Sequence, residues 1–209
     1  MGGSGLRCKV SAIPLLVWGS EDRFPPMNEI IQQIADCFNQ RGREQYGKEC
    51  VNQLQHALQS ATLAQESAAT PSLVAAALLH DIGHILDDRA LPESVEENLD
   101  DQHEERGHAW LKGHFGEAVA APVRLHVLAK RYLCTKDASY ESQLSETSRK
   151  SFHDQGGVMS SEELQVFESD PHWREALEVR RWDDLAKDPN RQTASIESFL
   201  PLLESCLSK

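Results

Sequence analysis

Positive charge is scarce in this 209-residue chain: 21 Lys and Arg stand against 33 Asp and Glu, a net charge of −12. Nucleic-acid affinity comes mainly from Lys and Arg neutralising phosphates, so that balance argues against a DNA or RNA partner. It argues equally against an anionic membrane surface. Long apolar runs are missing too. The longest near the start, Ile13 to Trp18, falls far short of the roughly 18 residues that a spanning helix needs. No basic stretch and small-residue cleavage site frame it, so no secretory signal is expected, and Met1 to Gly5 reads as a flexible leader. Cys8, Cys37, Cys50, Cys134 and Cys206 form no C-x-x-C pair and are odd in number. That excludes a disulfide framework and fits a reducing cytoplasm. Strand signals, internal repeats and low-complexity tracts are also lacking.

What is there is helical period. Met27 to Asn39 and Cys50 to Glu66 place apolar residues three and four apart. Thr70-Pro71 reads as an N-cap with proline at the first helical position, opening a strongly apolar helix through Leu79 into His80 that should be central and buried. Further helices are expected over Gln102–Phe115, Glu117–Tyr132 with Pro122 in its first turn, and Glu146–Gln155 ended by Gly156-Gly157. Ser161–Glu168, opened by a capping box of Ser160 and Glu163, is followed by Pro171–Lys187 and Ser195–Leu207. The fold class is all-α. The expected organisation is a single helical domain over 26–209, preceded by an extension over 1–25.

Nine histidines are present, and the strongest local signal is His80-Asp81-Ile82-Gly83-His84 at the end of the apolar helix. Imidazole is a neutral metal donor and a neighbouring carboxylate can bridge two ions. His56 lies within a helix, His103 starts one, and His126 sits inside the apolar stretch Val123 to Leu128, where an unpaired imidazole needs a partner. Asp183 follows Trp182 on a helix far along the chain. Ligands from several helices meeting inside a bundle are how such folds build metal sites. His108, His114, His153 and His172 read as surface residues. The four tryptophans, Met27 and Met159 read as core or rim.

The series His56, His80-Asp81 and Asp183 resembles the H…HD…D signature of the HD-domain superfamily of metal-dependent enzymes, and His103 with His126 resembles its two-metal branch. A narrower resemblance covers about Asn39 to Asp188. It rests on Tyr46-Gly47-Lys48-Glu49, Gln53, His80 to His84, Gln102-His103-Glu104, Lys130-Arg131-Tyr132-Leu133, Ser148-Arg149-Lys150, Gln155-Gly156-Gly157 and Arg180 with Trp182-Asp183. These are similar to the glycine-forming 2-amino-1-hydroxyethylphosphonate dioxygenases, mixed-valent di-iron oxygenases related to myo-inositol oxygenase. The resemblance implies that His56, His80, Asp81 and Asp183 hold one iron, and Asp81, His103 and His126 the other. It implies that Tyr46 fills the second iron's open position until substrate arrives and that Glu49 pairs with the substrate ammonium. His84, Lys130, Ser148 and Arg180 would surround the phosphonate, with O2 as co-substrate and a small hydroxyphosphonate as partner.

Two alternatives stay open at this point: an oxygenase for the trimethylammonium analogue, and an HD-type phosphohydrolase. Lys, Arg, Ser and imidazole suit a phosphonate dianion through charge-assisted hydrogen bonds. Arg131, Lys150 and Arg181 stand beside the chosen residues and read as surface charges. Of the net −12, nine acids and two arginines between Asp87 and Arg106 supply −7, a run that reads as a solvated connection. Global charge therefore misdescribes the pocket.

Overall fold

The computed structural model describes Met1 and residues 28–46, 48–86 and 102–208; the 1–25 extension and most of the acidic run fall outside the described residues. Among the described residues ten α-helices follow one another: α1 Glu29–Arg41, α2 Gln53–Glu66, α3 Pro71–Leu79, α4 His103–Phe115, α5 Glu117–Lys136, α6 Ala138–Gln143, α7 Glu146–Asp154, α8 Ser161–Ser169, α9 Trp173–Leu185 and α10 Leu200–Ser205. Among the described residues there is no strand, only an isolated bridge between Gln45 and Asn52. None of these helices is long and apolar enough to cross a membrane.

α3 is the axis. Thr70 accepts a hydrogen bond from the Leu73 amide, Pro71 occupies the first turn, and every residue from Val74 to Leu79 is buried. Burying each of its large aliphatic side chains contributes roughly 1.5–3 kcal/mol. α2, α5 and α9 pack around α3. Ile31, Ile34 and Phe38 of α1, Leu111 and Phe115 of α4, and Phe199 with Leu203 complete the main core. A smaller cluster joins Leu125, Ala129 and Leu133 of α5 to Phe167 and Leu177, and Phe152 seats α7 against Cys134 and Leu144.

Several boundaries depart from the period-based expectation. α2 begins at Gln53 because Asn52 and Gln55 form a reciprocal capping box. Pro122 is the sixth residue of α5, in its second turn, because Gly116 caps the helix. The chain forfeits one backbone bond there and α5 still runs on, held by α3, α4 and α9. Ser195–Leu207 is not one helix: Pro201 opens α10, after a separate 3-10 turn over Ile196–Ser198. Gly156 and Gly157 end α7 with φ of +103° and +63°, a turn that side chains resist.

Candidate di-metal site

Five helices deliver six metal-type side chains to one buried point: His56 from α2, His80 and Asp81 from the end of α3, His103 from the start of α4, His126 from α5 and Asp183 from α9. The Asp81 carboxylate divides them. Its Oδ2 lies 3.4 Å from His80 Nε2 and 3.7 Å from His56 Nε2, and Asp183 Oδ1 stands 3.3 Å from His56 Nε2. Its Oδ1 faces the other way, 3.2 Å from His103 Nε2 and 3.6 Å from His126 Nε2. Donors about 2.0–2.2 Å from one cation and at right angles are about 3 Å apart. The spacings are therefore those of two nests sharing one carboxylate. Gly83 permits this arrangement: a Cβ there would lie 2.0 Å from the His103 carbonyl oxygen, so only glycine lets α4 come this close.

Each imidazole is oriented from behind. Nδ1–H of His56 donates to the Ala186 carbonyl at 2.9 Å, that of His80 to Ala77 at 2.9 Å, and that of His126 to Val123 at 2.6 Å. His103 Nδ1 faces the Glu104 carboxylate at 3.4 Å. A ring donating through Nδ1 presents a lone pair at Nε2. Two such Nε2 atoms meet at 3.1 Å between His56 and His80, and those of His103 and His126 are 3.3 Å apart. Lone pairs at that distance repel unless a cation lies between them. Asp81 Oδ2 and Asp183 Oδ1 are also buried without a hydrogen-bond partner, a costly state for a carboxylate. The residues fit metal ions.

Protonation agrees. Burial lowers His80 and, with the charge of His103, holds His126 well below the usual histidine range. Burial opposes the charge on His103 too, but the hydrogen bond and charge of Asp81 outweigh it and leave His103 raised. Burial would raise both aspartates. His80 and His103 nevertheless keep Asp81 well below the carboxylate range, and Arg180 and His56 do so for Asp183. Neutral His80 and His126 beside ionised carboxylates are the ligating forms, whereas His103 would have to give up its proton to bind an ion.

The nests border a cavity of about 440 Å³ lined by Tyr46, Glu49, His84, Lys130, Ser148 and Arg180, together with Gln53, Thr147, Ser151 and Gln155. The Tyr46 ring stacks on His56 at 4.0 Å and 15°, and burial, then Asp183 and Asp81, raise its phenol above the ordinary value. The His84 ring stacks on His103 at 4.0 Å; desolvation and then His103 bring it down to about 4, so it is neutral at pH 7. His84 also stands near enough to Asp81 and His103 for the three to hold an ion. Lys130 is one turn beyond His126, buried, and donates to Ser151 Oγ at 2.6 Å. Arg180 arrives already paired, to Asp183 at 2.6 Å and to Asp184, with Ser148 Oγ at 3.4 Å.

The neighbours face elsewhere. Arg131 is buried rather than a surface charge, donating to the Gly157 carbonyl at 2.9 Å and pairing with Glu163 at 2.7 Å. Lys150 and Arg181 pair with Asp154 and Glu178 outside the cavity. His108, His114, His153 and His172 do not line it. Trp110, Trp182 and Met159 are core residues, whereas Trp18 and Met27 fall outside the described residues.

An HD domain model matches residues 54–150. The chain is 41% identical, over 86% of its length and 89% of the relative's, to hydroxymethylphosphonate dioxygenase of Gimesia maris. It is 36% identical, over 86% of its length and 91% of the relative's, to the glycine-betaine-forming 1-hydroxy-2-(trimethylamino)ethylphosphonate dioxygenase of Leisingera caerulea. The chain belongs to the HD-domain phosphonate dioxygenases. An uncharacterized protein of Acanthamoeba polyphaga mimivirus is 34% identical over 88% of the chain.

Sequence reasoning missed Ser151 of this dioxygenase's cavity and the residues that hold its lining in place. Lys187 donates to Ser148 Oγ at 2.8 Å and lies 3.5 Å from Glu49. Its spacing, four residues after Asp183, was the available signal. Ser145, which donates to Glu49 across 96 residues of sequence, left no signal at all. Asp184 grips Arg180 while accepting a hydrogen bond from Tyr140 at 2.7 Å. Ser151 joins Lys130 to the Ser148 carbonyl.

Proposed function

We propose that this phosphonate dioxygenase converts (R)-2-amino-1-hydroxyethylphosphonate and O2 to glycine and phosphate at a mixed-valent Fe(II)/Fe(III) pair. The observation that carries the reading is one cavity lined together by His103, His126 and Asp183 of the nests that Asp81 divides, by the Lys130, Ser148 and Arg180 cradle, and by the Glu49 carboxylate. Hydrolysis does not suffice for this substrate, because its C–P bond offers no oxygen leaving group. The C–H and C–P bonds at C1 break, one oxygen atom ends on C1 and one on phosphorus, and C1 becomes the glycine carboxylate.

His56, His80, Asp81 and Asp183 would hold one iron, and Asp81, His103 and His126 the other. When bound, the iron pair supplies O2 activation and oxidation of C1. Lys130, Arg180, the Ser148 hydroxyl and neutral His84 take the phosphonate oxygens through charge-assisted hydrogen bonds. Glu49 takes the ammonium and so orients the C1 hydrogen. Tyr46, stacked on His56 and close enough to Asp183 and Asp81 to feel their charge, would be the residue that substrate displaces on entering the site. A trimethylammonium group is disfavoured, since it has no N–H for Glu49 and prefers an aromatic cage. Among the cavity residues only Tyr46 offers an aromatic ring besides histidines.

The Lys187 contact with Glu49 favours a second reading, in which hydroxymethylphosphonate, with no amine, gives formate and phosphate by the same balance. The deciding experiment loads anaerobically purified protein with Fe(II), adds O2 and either hydroxyphosphonate, and identifies products. One O2 consumed per glycine supports the first reading. Turnover under strict anaerobiosis, or hydrolysis of phosphate esters with no oxidised product, refutes oxygenase chemistry on these substrates.

A further inference from the structure

We propose that Lys187 is a built-in counter-ion for Glu49 that sets how strongly the cavity selects for an amine on its substrate. This rests on reading the cavity as a hydroxyphosphonate site. Lys187 lies just beyond the end of α9, and only 11% of its side chain is exposed. Its Nζ contacts a lining residue from each half of the pocket: Ser148 Oγ at 2.8 Å on the phosphonate side and Glu49 Oε1 at 3.5 Å on the amine side. Asp183 and Asp184 are 3.9 and 4.0 Å away, but Arg180 already holds both. Ser145 supplies Glu49 with a neutral hydroxyl donor only. Lys187 is therefore the cation that balances Glu49.

An ammonium arriving at Glu49 meets an ion pair already made, and has to displace it. The four-carbon stem of lysine is flexible and its charge compact, so the released Nζ can turn along Ser148 toward the phosphonate. A ligand without an amine leaves the Glu49–Lys187 pair intact. Selectivity is a difference between two affinities, and Lys187 lowers it at Glu49, where the amine has to break the ion pair, while its released charge returns only part of that cost at the phosphonate.

The test compares 2-aminoethylphosphonate with n-propylphosphonate, which replaces ammonium by methyl; both lack the C1 hydroxyl. Dissociation constants are measured by calorimetry on metal-loaded full-length protein at pH 7. Lys187→Gln is expected to raise the preference for the amine about tenfold, the size of one charged hydrogen-bond contact. Lys187→Arg restores the wild-type preference. Equal shifts for both ligands in Lys187→Gln, or a lowered preference, overturn the proposal. If that variant does not fold, Glu49→Gln reads the same coupling from the other side. The amine then binds more weakly and n-propylphosphonate more tightly, as Lys187 is freed; equal weakening of both overturns the proposal. A wild-type protein that binds neither ligand and turns over neither hydroxyphosphonate refutes the functional reading, and the inference falls with it.

Discussion

A single methyl group at Gly83 tests how the second metal nest is built. Gly83 lies in the 3-10 turn Ile82–His84, which places α3's Asp81 against the first residue of α4. Its φ is not left-handed, so space alone is at issue. In Gly83→Ala the new Cβ would stand 2.0 Å from the His103 carbonyl oxygen and 2.8 Å from the carbonyl carbon, both backbone atoms that no rotamer can move. Restoring ordinary contact at 3.4 Å demands about 1.4 Å of displacement at the start of α4. That is a large part of the 3.2 Å between His103 Nε2 and Asp81 Oδ1. The nest of His56, His80 and Asp183 lies on other helices and is spared. The expected result is metal content falling from two ions per chain toward one, a stability loss of about 1–3 kcal/mol from overpacking, and a kcat/KM lower by about 100-fold. Elemental analysis, thermal melting and turnover measure the three. Gly113→Ala on the same helix is the control, because its Cβ meets nothing within 4 Å; it should raise stability by about 0.5–1 kcal/mol. A Gly83→Ala protein with two metals and wild-type turnover would refute the role of this turn.

The remaining predictions concern single groups. Burial and then Arg180 bring Lys130 down to about 8, so its charge is complete well below that pH and lost as pH rises through it; KM for phosphonate should climb between pH 7 and 9, and Lys130→Met should flatten that limb. A flat wild-type profile would exclude Lys130 from phosphonate binding. Tyr46→Phe keeps the stack on His56 and removes the hydroxyl, so metal content should hold while kcat/KM drops; loss of metal instead would make Tyr46 a structural residue. Arg131→Met removes the bond to the Gly157 carbonyl and the pair with exposed Glu163 and should lower the midpoint of chemical denaturation with the amine preference intact. A changed preference would place Arg131 in the binding machinery.

The readable parts of this chain were those whose physics is local. Thr70-Pro71 and Ser160 with Glu163 write helix starts in a few adjacent residues, and the structure has both caps. His126 on an apolar face advertised itself as a buried imidazole needing a partner. Pairings across the chain were not written that way. The carbonyls orienting His80 and His126 lie three residues back, but the one orienting His56 is 130 residues away. Arg131 looked like surface charge because its partners, Gly157 and Glu163, become neighbours only once α8 packs on α5. Lys187 follows Asp183 at helical spacing, yet only the 45–52 loop, closed by its Gln45–Asn52 bridge, makes it a partner of Glu49. Pro122 misled because a proline's cost is local while its tolerance comes from packing.

The bond from His56 to the Ala186 carbonyl also bears on the order of synthesis. His56, His80 and His103 leave the ribosome long before Asp183 and Ala186. Until those residues emerge and α9 docks, the His56 ring has no carbonyl to fix its tautomer and its nest lacks a carboxylate. A growing chain therefore offers metal an incomplete set of donors, with His56 still unoriented. The complete donor set belongs to the finished fold, because its last carboxylate and the carbonyl that fixes His56 both come from the far end of the chain.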